Sequence, residues 1–135
     1  MSIRLETFKQ PAVVATDVCV DLALGLPEAV DFFQQPPVEI RLATATYLEL
    51  LQGARTPEEQ RRVKRFVQAY AVLSLGPMAS SNAVQLLLDH SLPSGLTALQ
   101  ALVAATALAH EIPLVTRETE TFGAIEGLRL IQPYG

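Results

Sequence analysis

Tryptophan is absent from this chain of 135 residues, cysteine occurs once, and charged residues make up only 18% of it. Each shortage excludes something. The single Cys19, set between Val18 and Val20, can form no internal disulfide, so the chain is not a small cross-linked secreted domain and the thiol reads as a buried apolar residue in a reducing compartment. An overall cationic field is missing too, since 10 Lys plus Arg stand against 14 Asp plus Glu for a formal charge of -4. Any nucleic-acid contact must then come from a local patch. No apolar run approaches the roughly 18 residues that span a bilayer, and the N-terminus, with Glu6 and Lys9, has no apolar stretch of the secretory type. A soluble, cytoplasmic protein without membrane association is expected.

What the chain has in quantity is aliphatic surface. Hydrophobic residues make up 50% of it, enough at this length to build one core, and residues 1–135 read as a single domain with residues 1–11 as an N-terminal extension. Ala12 to Thr16 reads as a strand, Asp17 as the N-cap of a helix from Val18 to Leu24, and Gly25 as its stop. Glu28 to Gln34 forms a second short helix ended by Pro36 and Pro37, and Val38 to Ala43 a second strand. Thr46 and Glu49 have the spacing of a capping box, opening a helix that runs to Gly53. Pro57 starts an amphipathic surface helix with Val63, Phe66, Val67 and Tyr70 on its apolar side. A third strand is expected over Ala71 to Leu75 and a Leu-rich helix over Ser81 to His90. Thr97 to His110 is a nearly all-apolar, buried helix. Pro113 to Thr116 and Leu128 to Ile131 supply two more strands, separated by a turn or short helix around Phe122 to Ile125. Strands alternating with helices call for a parallel sheet of about four to five strands covered on both faces, a three-layer α/β/α domain.

Four segments in this order resemble the PIN domain of VapC-type toxins, and together they cover nearly the whole chain. The first is Ala15-Thr16-Asp17-Val18-Cys19-Val20-Asp21-Leu22, similar to the family's Asp-Thr-Asn/Asp-Val-Leu-Ile-Asp-Leu. The second is Tyr47-Leu48-Glu49-Leu50-Leu51-Gln52-Gly53-Ala54. The third, Gln100-Ala101-Leu102-Val103-Ala104-Ala105-Thr106-Ala107-Leu108, is similar to Asp-Ala-Leu-Ile-Ala-Ala-Thr-Ala-Leu. The last, Pro113-Leu114-Val115-Thr116-Arg117, continues through Phe122, Ile125, Gly127 and Leu128. The resemblance implies a toxin-antitoxin ribonuclease in which three or four carboxylates hold Mg²⁺ or Mn²⁺. Such a cation needs oxygen ligands and their negative charge to generate hydroxide and to stabilise charge on the scissile phosphate.

Position by position, that acidic site is degenerate. The family's first Asp falls on Ala15, which has no ligand atom, and its third acid falls on Gln100, which offers an amide oxygen without charge. Glu49 is retained, as a metal ligand, as the partner of Thr46 in a capping box, or as both. In the last segment Thr121 stands where an Asp is usual, with Glu118 and Glu120 nearby. A rebuilt site would use Asp17, Glu49, Glu118 and Glu120 as metal ligands, with Gln100 beside them in the catalytic set. The bland readings compete: Asp17 as a cap, Glu118 and Glu120 as solvated loop acids, and Asp21 on the solvated side of the first helix. His90 and His110 read as helix-end residues, and Thr106 as bonded to its own backbone, while Thr16 and Thr97 are candidates to line the pocket. Arg55, Arg61, Arg62, Lys64 and Arg65 form the one candidate RNA patch, diluted by Glu58 and Glu59. The expected function is a VapC-like protein with its Mg- or Mn-dependent endoribonuclease chemistry lost or weakened. The alternatives are an active nuclease with a rebuilt site and a non-catalytic RNA- or antitoxin-binding module. Expected partners are a cognate antitoxin, RNA and a second copy, since resembling proteins form homodimers; Phe32, Phe33, Leu50 and Leu51 are candidates for that contact.

Overall fold

The computed structural model describes residues 8–135. The elements run β1 (Pro11–Val14), α1 (Thr16–Ala23), α2 (Pro27–Gln34), β2 (Glu39–Ala43), α3 (Thr44–Gly53) and α4 (Pro57–Gln68). They continue with β3 (Ala71–Leu73), α5 (Pro77–Ser94), α6 (Ala98–Ala109), β4 (Leu114–Val115), α7 (Thr119–Gly123) and β5 (Leu130–Ile131). All four strand pairings are parallel and the order is β3-β2-β1-β4-β5. Parallel strands need crossover connections, which the helices provide, and the three-layer α/β/α architecture follows.

The alternation along β1 shows how the layers are filled. Val13 packs with Leu114 against the α5, α6 and α7 side, while Ala12 and Val14 pack with Val115 against α1, α2 and α4. Successive side chains leave a strand on opposite faces, so four apolar residues in a row serve two cores. On the first side the small residues Ala101, Ala104 and Ala105 bring α6 close to the sheet. On the second, Phe33 meets Phe66 edge-on with ring centres 5.7 Å apart.

Chain order reverses at β1: β2 and β3 lie to one side, β4 and β5 to the other. The carboxyl ends of β1 and β4 therefore diverge, and a crevice opens where loops leave the sheet in opposite directions, the usual place for a site in an open parallel sheet. Two glycines shape the helix ends that matter here: Gly25 and Gly95 adopt φ of 75° and 71° just past α1 and α5, the left-handed conformation that ends a helix without a Cβ penalty.

Several expectations need correction. The helix expected over Ser81 to His90 extends from Pro77 through Ser94, so His90 lies inside it; only His110 sits at a helix end, as the cap of α6. Pro77 occupies the first turn, where its missing N–H costs nothing, and Pro93 falls in the last turn. Asp17 is not the cap of α1, because Ala15 takes that position and the helix begins at Thr16. No capping box joins Thr46 and Glu49: α3 begins at Thr44, which buries Thr46 inside the helix. The expected extension over residues 1–11 lies for the most part outside the described residues, and Pro11 opens β1.

Candidate functional site

At the divergence of β1 and β4 lies a cleft of about 310 Å³. The β1-α1 junction supplies Ala15, Thr16 and Asp17, α3 supplies Glu49, the start of α6 supplies Thr97 and Gln100, and the segment after β4 supplies Arg117 and Glu118. Residues separated by more than 100 positions thus meet at one opening. Of the acidic residues singled out from sequence, the fold gathers Asp17, Glu49 and Glu118, brings Asp21 to the same cleft, and leaves Glu120 outside, in the first turn of α7.

Both carboxylate oxygens of Asp17 accept hydrogen bonds from the far side of the site. One carboxylate oxygen accepts from the Thr116 hydroxyl at 3.0 Å and the other from the Arg117 backbone N–H at 2.9 Å. Thr116 Oγ1 in turn accepts from the Glu118 backbone N–H at 3.0 Å, which fixes the post-β4 segment against α1. Behind this network, Thr16 donates to Thr46 at 2.9 Å and closes the floor.

Gln100 is held from three directions. It sits at the third position of α6 in a capping box with Thr97: its amide oxygen accepts from the Thr97 N–H at 2.9 Å, and its own backbone N–H donates to the Thr97 hydroxyl at 3.2 Å. The remaining amide nitrogen donates to Glu118 at 2.7 Å. The chain does contain a capping box, then, but in α6 rather than α3.

Asp21, expected on a solvated face, is buried instead. It accepts two hydrogen bonds from the Arg117 guanidinium, at 2.5 and 2.9 Å, and a third from the Tyr134 hydroxyl at 2.9 Å. The bond to Arg117 holds the Asp21 carboxyl below the usual carboxylate range, with desolvation working against it and Tyr134 adding to it. The same contact raises Arg117 further, and burial together with Asp21 raises Tyr134. Glu118 moves the opposite way from Asp21: desolvation in the cleft, then the Asp17 carboxylate, push it up against the pull of Arg117 and Gln100. Cys19 is buried and inert, its thiol pushed up to about 12.

Local sequence does not mark Arg117, Asp21 and Tyr134 as the unit that the fold makes of them. Asp17 and Asp21 lie one helical turn apart on one face, a readable signal, but nothing in the sequence links either to a tyrosine more than a hundred positions away. Thr16 and Thr97 do line the cleft, while Thr106 bonds the Leu102 carbonyl of its own helix at 2.8 Å.

A divalent cation would need several free oxygen ligands carrying negative charge. Here Ala15 offers no side-chain ligand and Gln100 no charge, the carboxylates of Asp17 and Asp21 are tied by hydrogen bonds to the segment after β4 and to Tyr134, and Glu118 is held by Gln100, which leaves Glu49 as the one unconstrained carboxylate. Among the described residues, no three His, Cys, Asp or Glu are grouped so as to hold a metal ion. The donor set in this arrangement does not fit one.

No protein-family model matches the chain, and no curated protein matches it. Solved structures do. A toxin-antitoxin complex from Klebsiella pneumoniae superposes with a TM-score of 0.74 at 24% identity, covering 91% of this chain and 98% of that one. VapBC2 from Rickettsia felis, bound to a DNA fragment from its promoter, gives 0.74 at 18% identity over 90% of this chain and 98% of that one. VapBC-1 from nontypeable Haemophilus influenzae gives 0.74 at 17% identity over 92% and 98%.

Proposed function

Starting from the VapC-like PIN fold that the chain has, we propose that it is a protein of toxin-antitoxin type that binds a cognate antitoxin and has lost, or nearly lost, metal-dependent endoribonuclease chemistry. The observation that carries this reading is the state of Gln100. Where the resembling family has an acid aimed at a metal, this side chain carries no charge, points its amide oxygen at the Thr97 backbone N–H and turns its amide nitrogen to Glu118. Ala15, also in the cleft wall, is 2% exposed and contributes a methyl group.

A rebuilt catalytic centre would have to draw Asp17 away from Thr116 and Arg117, bring in Glu120 from outside the cleft, and overcome the desolvation and the Asp17 repulsion that already raise Glu118. Glu49 is the one cleft carboxylate without a side-chain hydrogen bond to another described residue, and a single carboxylate with waters holds Mg²⁺ weakly.

Calorimetric titration with Mn²⁺ and Mg²⁺, beside cleavage of a mixed RNA pool, tests the catalytic part. Little or no saturable heat at micromolar metal and no Glu49-dependent cleavage are expected. Micromolar binding abolished by Glu49→Ala would overturn it in favour of an active nuclease. The partner half is tested by co-expression with the product of a short adjacent gene encoding a DNA-binding protein; copurification in fixed stoichiometry is expected.

A further inference from the structure

Five of the ten Lys and Arg residues of the chain fall between Arg55 and Arg65. Their helix, α4, packs Val63, Phe66 and Val67 against the sheet and turns its other side to solvent. Both carboxylates of the segment are engaged: Glu58 pairs with Arg62 at 3.0 Å, and Glu59 accepts from the Arg55 backbone N–H at 2.5 Å. Arg61, Lys64 and Arg65 are exposed, and none makes an ion pair with another described residue. With Gln68 they recur at three- and four-residue spacing, which puts them on one stripe spanning roughly 10 Å of helix axis.

We propose that this stripe binds the phosphodiester backbone of a nucleic-acid strand. The composition of the face selects the ligand. Protein partners bind through apolar or aromatic anchors at the centre of the contact, and this stripe has none. A run of phosphates needs only fixed cations, preferably guanidinium forks that can take two phosphate oxygens at once. The chain carries a net charge of -4 overall, so the local excess on α4 also orients a polyanion toward this side rather than toward the acidic cleft. Contacts to phosphates carry no sequence information, so binding through this stripe alone is independent of sequence. The inference stands whether or not the cleft is catalytic.

The test is fluorescence anisotropy with a labelled single-stranded RNA of twelve nucleotides and a duplex DNA of equal length, in chelator so that neither is cut, from low to physiological salt. Three to four neutralised phosphates give a slope of log K against log salt of about -2 to -3 for the single strand. The variant R61Q/K64Q/R65Q should flatten that slope by about 2 and weaken binding at least tenfold at about 50 mM salt. R129Q, which removes an exposed cation elsewhere, should leave it unchanged. Should the triple variant lose helicity, R61Q and R65Q alone carry the test, each reducing the slope by about 0.7. A slope of this size on either nucleic acid supports the proposal and says which form is preferred. It is overturned if neither binds at low salt, if the α4 variants keep the parental slope, or if a poly-glutamate peptide of equal charge competes equally well, which would assign the face to an acidic protein segment.

Discussion

Replacing Asp21 by Asn removes one charge from the wall of the cleft and leaves the shape almost unchanged. Asp21 accepts three hydrogen bonds, two from Arg117 and one from Tyr134. An amide supplies one acceptor oxygen: placed at the Oδ2 position it keeps the bonds from Arg117 Nε and Tyr134, while its NH₂ then faces Arg117 Nη2, so one of the three bonds turns into a donor-donor contact. Breaking a fully buried ion pair costs about 3–5 kcal/mol, but the Arg117 side chain is 41% exposed and water can take up part of its freed donors, which lowers the expectation to about 2 kcal/mol. For a domain of this size that is a fall of about 1 M in the urea midpoint and roughly 5–8 °C in Tm. Tyr134→Phe, which removes a single bond, should cost about 1 kcal/mol. The pH dependence follows from the direction of the shift. The folded protein holds Asp21 ionised below the ordinary carboxylate pKa of about 3.9, so its contribution is fully present above that value and fades as pH falls through the lower folded pKa. Urea unfolding of the parent and Asp21→Asn at pH 7 and pH 3 measures both effects. Equal midpoints at pH 7, or a difference that fails to shrink in acid, would refute the idea that Arg117 and Tyr134 are fixed through this carboxylate.

Three more expectations concern the cleft and the surface. The double variant A15D/Q100D, with Glu49 in place, should gain calorimetric affinity for Mn²⁺ and metal-dependent RNA cleavage while either single change does little, because residues that act as one unit do not contribute independently; a folded double variant that binds metal and cuts nothing would show that substrate positioning is gone as well. Glu118→Gln keeps an acceptor for Gln100 and removes repulsion from Asp17 and Glu49, so it should stabilise the protein by a few tenths of a kcal/mol at pH 7. Because the folded state raises Glu118, that gain should disappear below the ordinary glutamate pKa, and a midpoint difference in chemical unfolding that persists in acid would count against the assignment. Self-association is expected at about 100 μM by sedimentation velocity, but not through Phe32, which is 6% exposed and packed in its own core. Met78, Val84, Leu88 and Leu92 on α5 are among the exposed apolar residues, and L88K/L92K should shift any dimer toward monomer; a monomer at that concentration would remove the idea.

The sequence by itself determined the layered α/β fold. The apolar periodicity that places strands and the proline and glycine punctuation that ends helices act over neighbouring residues, and Ala12 to Thr16 and Thr97 to His110 were readable for that reason. It also determined that Ala15 has no ligand atom and that Gln100 carries no charge, since these are properties of the residues themselves. The fates of the polar groups were decided only by tertiary structure. Asp17 has the local credentials of a helix cap and Asp21 those of a solvated helix residue, yet both serve the segment after β4, because parallel pairing of β1 with β4 brings residues about 100 positions apart to one edge. Thr46 and Glu49 have the spacing of a capping box, but the tight passage from β2 starts the helix at Thr44, three residues early, and leaves Thr46 in the core. A side chain's hydrogen-bond partner depends on which backbone groups the packed core leaves within about 3 Å, and spacing along the chain cannot supply that distance.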